Sequence, residues 1–197
     1  MPPKVKVTKN DIIQTALQLY SVSGESALNA RSIATALACS TQPIFSNFDT
    51  MEQLRQAVIG AAYERYLSFL QNEVQNGNYP PYKAYGMAYI RFAEQQKELF
   101  RLLFMRDRTG EDLSPPPDFE QSVQLIMQAN GVSQETAWWI HMELWACVHG
   151  IATMIVTSFV PLDWEMISGM LSDVYMGICA RQTKGESYTC MQSKSNN

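Results

Sequence analysis

The chain is 197 residues long, 46% apolar and 17% charged, with a formal net charge of −4. That length supports a real core and one or two domains, and that composition excludes disorder over most of it. The acidic total excludes a general nucleic-acid coat, yet the charge is uneven: residues 1–60 hold five bases (Lys4, Lys6, Lys9, Arg31, Arg55) against four acids, and the acidic excess lies beyond them.

Pro2 to Val7 read as a basic, extended arm. Thr8 and Asp11 have capping-box spacing, and Ile12, Ile13, Ala16, Leu17 and Tyr20 recur at helical intervals to about Ser23. After Gly24 and Leu28, Asn29 stands as a cap before Ala30, Ile33, Ala34 and Leu37, a short one-sided apolar face that ends around Ala38–Cys39. Ser40 is placed to cap the next helix, Pro43 sits in its first turn, and Ile44, Phe45 and Phe48 supply its apolar face. Two short helices with a tight turn between them predict a helix-turn-helix over residues 29–48.

Asp49-Thr50-x-Glu52 signals a long fourth helix, carried by Leu54, Ala57, Val58, Ala61, Leu67 and Leu70 to about Asn76, where Gly77 to Pro81 break it. A fifth helix is expected over Tyr82–Gln96, a sixth over Lys97–Met105, and an exposed loop over Arg106–Pro117. A seventh fits Phe119–Asn130 with Gly131 closing it, and an eighth starts after Ser133 and runs to Phe159. A ninth fits Asp163–Ala180, followed by a polar tail expected to be disordered. No strand signal competes, so the fold class is all-α.

From Leu144 to Leu162 nineteen residues carry no formal charge, close to the ~20 that span a bilayer. His149, Gly150, Thr153, Thr157, Ser158 and Pro161 interrupt that stretch, and a helix apolar all round is equally one buried in protein. Burial between its own core and a second subunit is the expectation, with no membrane span. Paired with an amphipathic ninth helix (Met166, Ile167, Met170, Leu171, Val174, Ile178), it predicts a homodimeric four-helix bundle. Gly150, Ile151, Met154, Met166, Met170 and Val174 are the expected interface residues.

Signatures of catalysis are missing. No two glycines fall closer than eight residues apart, which excludes a phosphate-cradling loop, and neither G-x-S-x-G nor H-E-x-x-H occurs. His141 and His149 share one helix without an obvious third ligand, and the four cysteines form no C-x-x-C pair. An enzyme is not expected, and neither is a cofactor or a metal. Met1 to Asn10 has no apolar core of a signal peptide, so a cytoplasmic protein is expected.

The head, from Thr8 to Leu67, resembles the DNA-binding domain of the TetR family of transcriptional regulators. The matching features are the apolar first helix, Gly24, Leu28, Ile33-Ala34, Ser40, Ile44-Phe45-x-x-Phe48 and Glu52-x-Leu54. Trp145-x-x-x-His149-Gly150 further resembles a Trp-His-Gly signature of one TetR subgroup. The resemblance implies a head over 6–66, a regulatory and dimerisation body over 67–181, and a tail over 182–197. It implies that the start of the second motif helix enters the major groove, where Gln42 can pair with adenine and Thr41 can meet a thymine methyl or a phosphate. Ser46 and Asn47 share the polar face, while Lys9, Asn29, Arg31 and Ser40 bracket the helix starts as phosphate contacts.

Two positions depart from the family pattern. Phe45 stands where a tyrosine hydroxyl usually reaches a phosphate, and Met51 where a lysine is common, so binding leans on Arg31, Arg55 and the arm. The resemblance also implies that the body binds a small-molecule effector and then releases DNA. The expected pocket residues are Tyr63, Tyr66, Tyr85, Tyr89, Phe92, Phe104, Met127, Met142 and Trp145. The expected partners are therefore operator DNA, a small effector and a second copy of the chain. A helical interaction or ligand-binding protein without DNA binding is the alternative.

Overall fold

A computed structural model describes residues 7–111 and 117–183. Among these the chain is all-helical: α1 (Lys9–Ser23), α2 (Ala30–Ala36), α3 (Gln42–Asn47), α4 (Met51–Gln75), α5 (Pro81–Gln95), α6 (Lys97–Phe104), α7 (Pro117–Asn130), α8 (Gln134–Val156) and α9 (Trp164–Thr183), with a 3-10 turn at Gly24–Ala27. The arm before Val7 and the tail beyond α9 lie outside the described residues, as does part of the loop before α7.

Local chemistry sets most helix starts. Thr8 and Asp11 exchange side-chain-to-backbone hydrogen bonds in a complete capping box. Asn29, Thr50 and Ser133 each accept from the third residue on, so α2, α4 and α8 each begin with a satisfied backbone donor. Ser40 does not cap α3: the cap is Thr41, itself in helical conformation and without a side-chain hydrogen bond. Pro43 fills the first turn instead, so one of the free N–H groups is simply missing there.

The helix ends are as explicit. α2 closes when Ala38 turns left-handed at φ 50, with Cys39 N–H donating to Ala34 O and Ala38 N–H to Thr35 O. α8 stops at Val156, three residues short of the sequence expectation. Ser158 there takes φ 54, Phe159 N–H reaches back to Met154 O, and Thr157 Oγ1 turns onto Thr153 O. The Schellman-type end, and not Pro161, terminates it. At the other extreme α9 outlasts its expected end at Ala180 and continues to Thr183.

The head packs α2, α3 and α4 against α1, burying Ile12, Ala16, Ile33, Ile44, Phe48, Leu54 and Val58. The body wraps α4, α7, α8 and α9 around α5, and fully buries Phe92, Phe100, Ile126 and Ile140. Each such side chain contributes roughly 1.5–3 kcal/mol by burial. α4 belongs to both parts. Its 25 residues run unbroken from the head, about 37 Å at 1.5 Å per residue, through the place where the domain boundary was expected.

Candidate nucleic-acid interface and cavity

Because Ile44 and Phe48 turn inward, the opposite side of α3 is left to solvent: Gln42, Phe45 and Ser46 are exposed, with Thr41 and Asn47 half-buried. Ser46 Oγ and Asn47 Nδ2 bond back to the carbonyls of Gln42 and Pro43, so each is partly engaged by its own helix. Gln42 alone presents an unengaged amide at the start of α3. Arg31 and Ser40 are exposed beside it.

Three of the expected phosphate contacts have other partners. Asn29 spends both ends of its amide locally, accepting from Ser32 N–H and donating to Ser26 O. Lys9 Nζ lies 4.9 Å from the centre of the buried Phe48 ring. Arg55 forms an ion pair with Glu25 in the 3-10 turn, so its charge is already answered within the head. Arg31 is left as the exposed guanidinium of the motif.

In the body, α4, α5, α7, α8 and α9 enclose a cavity of about 930 Å³, within the ~300–1,000 Å³ of small-molecule sites. Tyr63, Tyr66, Tyr85, Tyr89, Phe104, Met142 and Trp145 line it. Phe92 and Met127 do not. Phe92 is fully buried, edge-on to Tyr66 and Phe69, and Met127 is half-buried and packs on the core. Ala88, one residue from the lining Tyr89, is likewise core.

Two phenol–imidazole pairs tie α5 to α8. Tyr82 Oη lies 2.9 Å from His141 Nδ1, and Tyr89 Oη lies 2.9 Å from His149 Nδ1. The His149 ring stacks between Trp145, at 5.1 Å, and Phe100, at 5.9 Å. Burial lowers the His149 pKa below the ordinary histidine value and pushes the Tyr82 phenol far up, so in each of these two groups burial favours the neutral form. Both histidines are hydrogen-bonded, His141 buried and His149 half-buried, and no cluster of three potential metal ligands occurs among the described residues.

Residues 82–167 match the model of the tetracyclin repressor-like C-terminal domain. Over that stretch the body is similar to the C-terminal domain of TetR-type regulators. A TetR-like transcriptional regulator from Rhodococcus sp. RHA1 shares the fold at a TM-score of 0.60 and 13% identity, over 94% of this chain and 99% of that one. The multidrug binding protein EbrR, solved with imidazole, is similar at a TM-score of 0.55 and 16% identity, over 84% of this chain and 88% of that one. No curated protein matches the chain.

On this body the outer side of α8 and α9 is left open. Gly150 is exposed with clear space around it, Met166 is half-exposed, and Met154, Met170 and Val174 are half-buried. Ile151 corrects the expected interface: it is buried in the chain's own core, one position round the helix from Gly150. α8 is long and apolar enough by length and composition to cross a membrane, yet it packs against α5, α7 and α9. The sequence reading missed Tyr82, Lys83, Phe119, Trp138 and Tyr175 as cavity residues. The signal available was the run of tyrosines and one lysine opening α5, at one-turn spacing with Tyr85 and Tyr89.

Proposed function

We propose that the chain is a sequence-specific transcription regulator that binds a pseudo-palindromic operator as a homodimer and is released by a small-molecule effector. A repressor follows from that order of events. The observation that carries the reading is the continuity of α4: it leaves α3 at Met51 and lines the cavity with Tyr63, Tyr66 and Leu70. One rigid element therefore touches both the candidate reading head and the candidate effector site. Exposed Gln42 at the start of α3 supports base reading, and the open α8–α9 face supports pairing about a two-fold axis.

The test is selection of bound fragments from genomic DNA by the purified protein, followed by gel shift on the enriched sequence. A two-fold-related motif with half-sites about one helical turn apart supports the reading. Enrichment of no sequence over bulk DNA refutes it and leaves a ligand-binding helical protein.

A further inference from the structure

We propose that the body cavity takes an apolar monocarboxylate, with its charged end at Lys83 and its apolar part along the tyrosine-rich wall. The inference rests on the effector reading and names the ligand class for that site. Among the described residues that line the cavity are two cations, Lys83 and Arg108, and no aspartate or glutamate. Arg108 is answered by Glu111, which also takes Arg106.

Lys83 is different. It is half-buried, its Nζ donates to Ser172 Oγ at 2.8 Å, and it lies 5.5 Å from the centre of the Tyr79 ring. No ion pair to it occurs among the described residues. Ser172 in turn donates to Ser168 O, which aims its lone pair at the ammonium and fixes Lys83 beside the cavity. An ammonium has three donors, and one hydroxyl occupies only one of them.

A half-buried charge with no counter-charge beside a mostly apolar space is unfavourable, and a bound anion removes that penalty. The start of α5 adds to the same potential: its first turn holds no acid and no side-chain cap, so the positive end of the helix dipole is uncompensated there. A carboxylate placed at Lys83 forms a charge-assisted hydrogen bond, while an ammonium placed there meets like charge. The aromatic wall alone would suit a cation; the lysine reverses that choice.

The experiment compares decanoate, decan-1-ol and decylammonium at neutral pH, each below its micelle concentration, by quenching of tryptophan emission and by calorimetry on the full chain. Trp138 and Trp145 line the cavity and report occupancy. Decanoate is expected to bind about ten- to a hundredfold tighter than the alcohol, the range of one hydrogen bond to a charged group, and decylammonium weakest. Lys83→Met should bring decanoate to the affinity of the alcohol and leave the alcohol unchanged, and Lys83→Arg should keep most of the preference. Equal binding of all three, or preference for decylammonium, overturns the charge assignment while the cavity stands as a ligand site. Binding of none overturns the cavity as well, and the DNA selection above is unaffected by either result.

Discussion

Gly24 closes α1 where the head meets α6 of the body, and Gly24→Ala is the substitution whose cost the structure specifies best. Its backbone sits at φ 65, ψ −154, a region open essentially to glycine alone; placing another residue there costs about 1–3 kcal/mol. A Cβ would also lie 2.6 Å from Glu98 Oε2, well inside contact distance. That carboxylate is the end of a side chain, but its pairing with Arg101 restrains it. Displacing it off its rotamer adds about 0.5–1.5 kcal/mol. The sum is roughly 1.5–4.5 kcal/mol, read by urea unfolding at fixed protein concentration, or as about 2–4 °C of Tm per kcal/mol for a chain of this size. A double-mutant cycle with Glu98→Ala separates the two parts, because the backbone strain persists when the carboxylate is gone and the contact does not. Gly24→Ala within about 0.5 kcal/mol of the parent would refute both the left-handed backbone and the close approach of α6.

Gln42→Ala is expected to relax base preference at one position per half-site, at about 1–3 kcal/mol of discrimination, whereas Arg31→Ala weakens all sequences alike and flattens the salt dependence; gel shifts on an operator and its variants distinguish them. Glu25→Gln frees Arg55 from its ion pair, and the slope of log K against log salt should steepen by about one if the guanidinium then reaches a phosphate. An unchanged slope places Arg55 off the DNA. Gly150→Glu puts a carboxylate into open space on one subunit but into the paired α8–α9 face of a dimer. Analytical ultracentrifugation should therefore show a folded monomer, and a dimeric variant moves the interface elsewhere.

Most of the fold is legible because its signals are local. Thr8, Asn29, Thr50 and Ser133 are caps whose partners lie three residues away, and all four open a helix as their spacing predicts. Ser40 misled for the same reason: it has the right chemistry, but the chain enters α3 already helical at Thr41, so no cap geometry forms. The end of α8 was misplaced because Ser158, and not a glycine, takes the left-handed position that stops it. The cavity is a different kind of feature. Whether Phe92 or Phe104 faces it depends on how α4, α5 and α6 cross, and both lie in equally aromatic stretches. Ile151 and Gly150 are adjacent in sequence and a hundred degrees apart round a helix, which composition cannot resolve on a segment apolar on all sides. Nor could spacing reveal that Arg55, thirty residues from Glu25, would be neutralised by it.

The packing makes α6 a second link between cavity and head, beside α4. Phe104 lines the cavity within 5.1 Å of Tyr66 and 5.0 Å of Tyr89, and the other end of α6 holds Glu98 against Gly24. α6 also packs directly on α1. Under the proposed function, an effector that presses on Phe104 shifts a short helix whose far end abuts the base of the candidate reading head. It releases DNA only by preferring the DNA-incompetent arrangement, and a hundredfold loss of operator affinity requires about 2.7 kcal/mol of such preference. Reciprocity then demands that operator DNA weaken the same effector a hundredfold. Phe104→Leu keeps the cavity apolar but shortens the contact of α6 with Tyr66 and Tyr89, and substitutions along such a link change coupling by about 0.5–2 kcal/mol, or two- to thirtyfold. The expected result, using whichever probe the cavity titration identifies, is effector and operator affinities each near the parent when measured alone, with a smaller mutual weakening when measured together. If Phe104→Leu leaves that mutual weakening unchanged, α6 is packing only, and the coupling runs through α4.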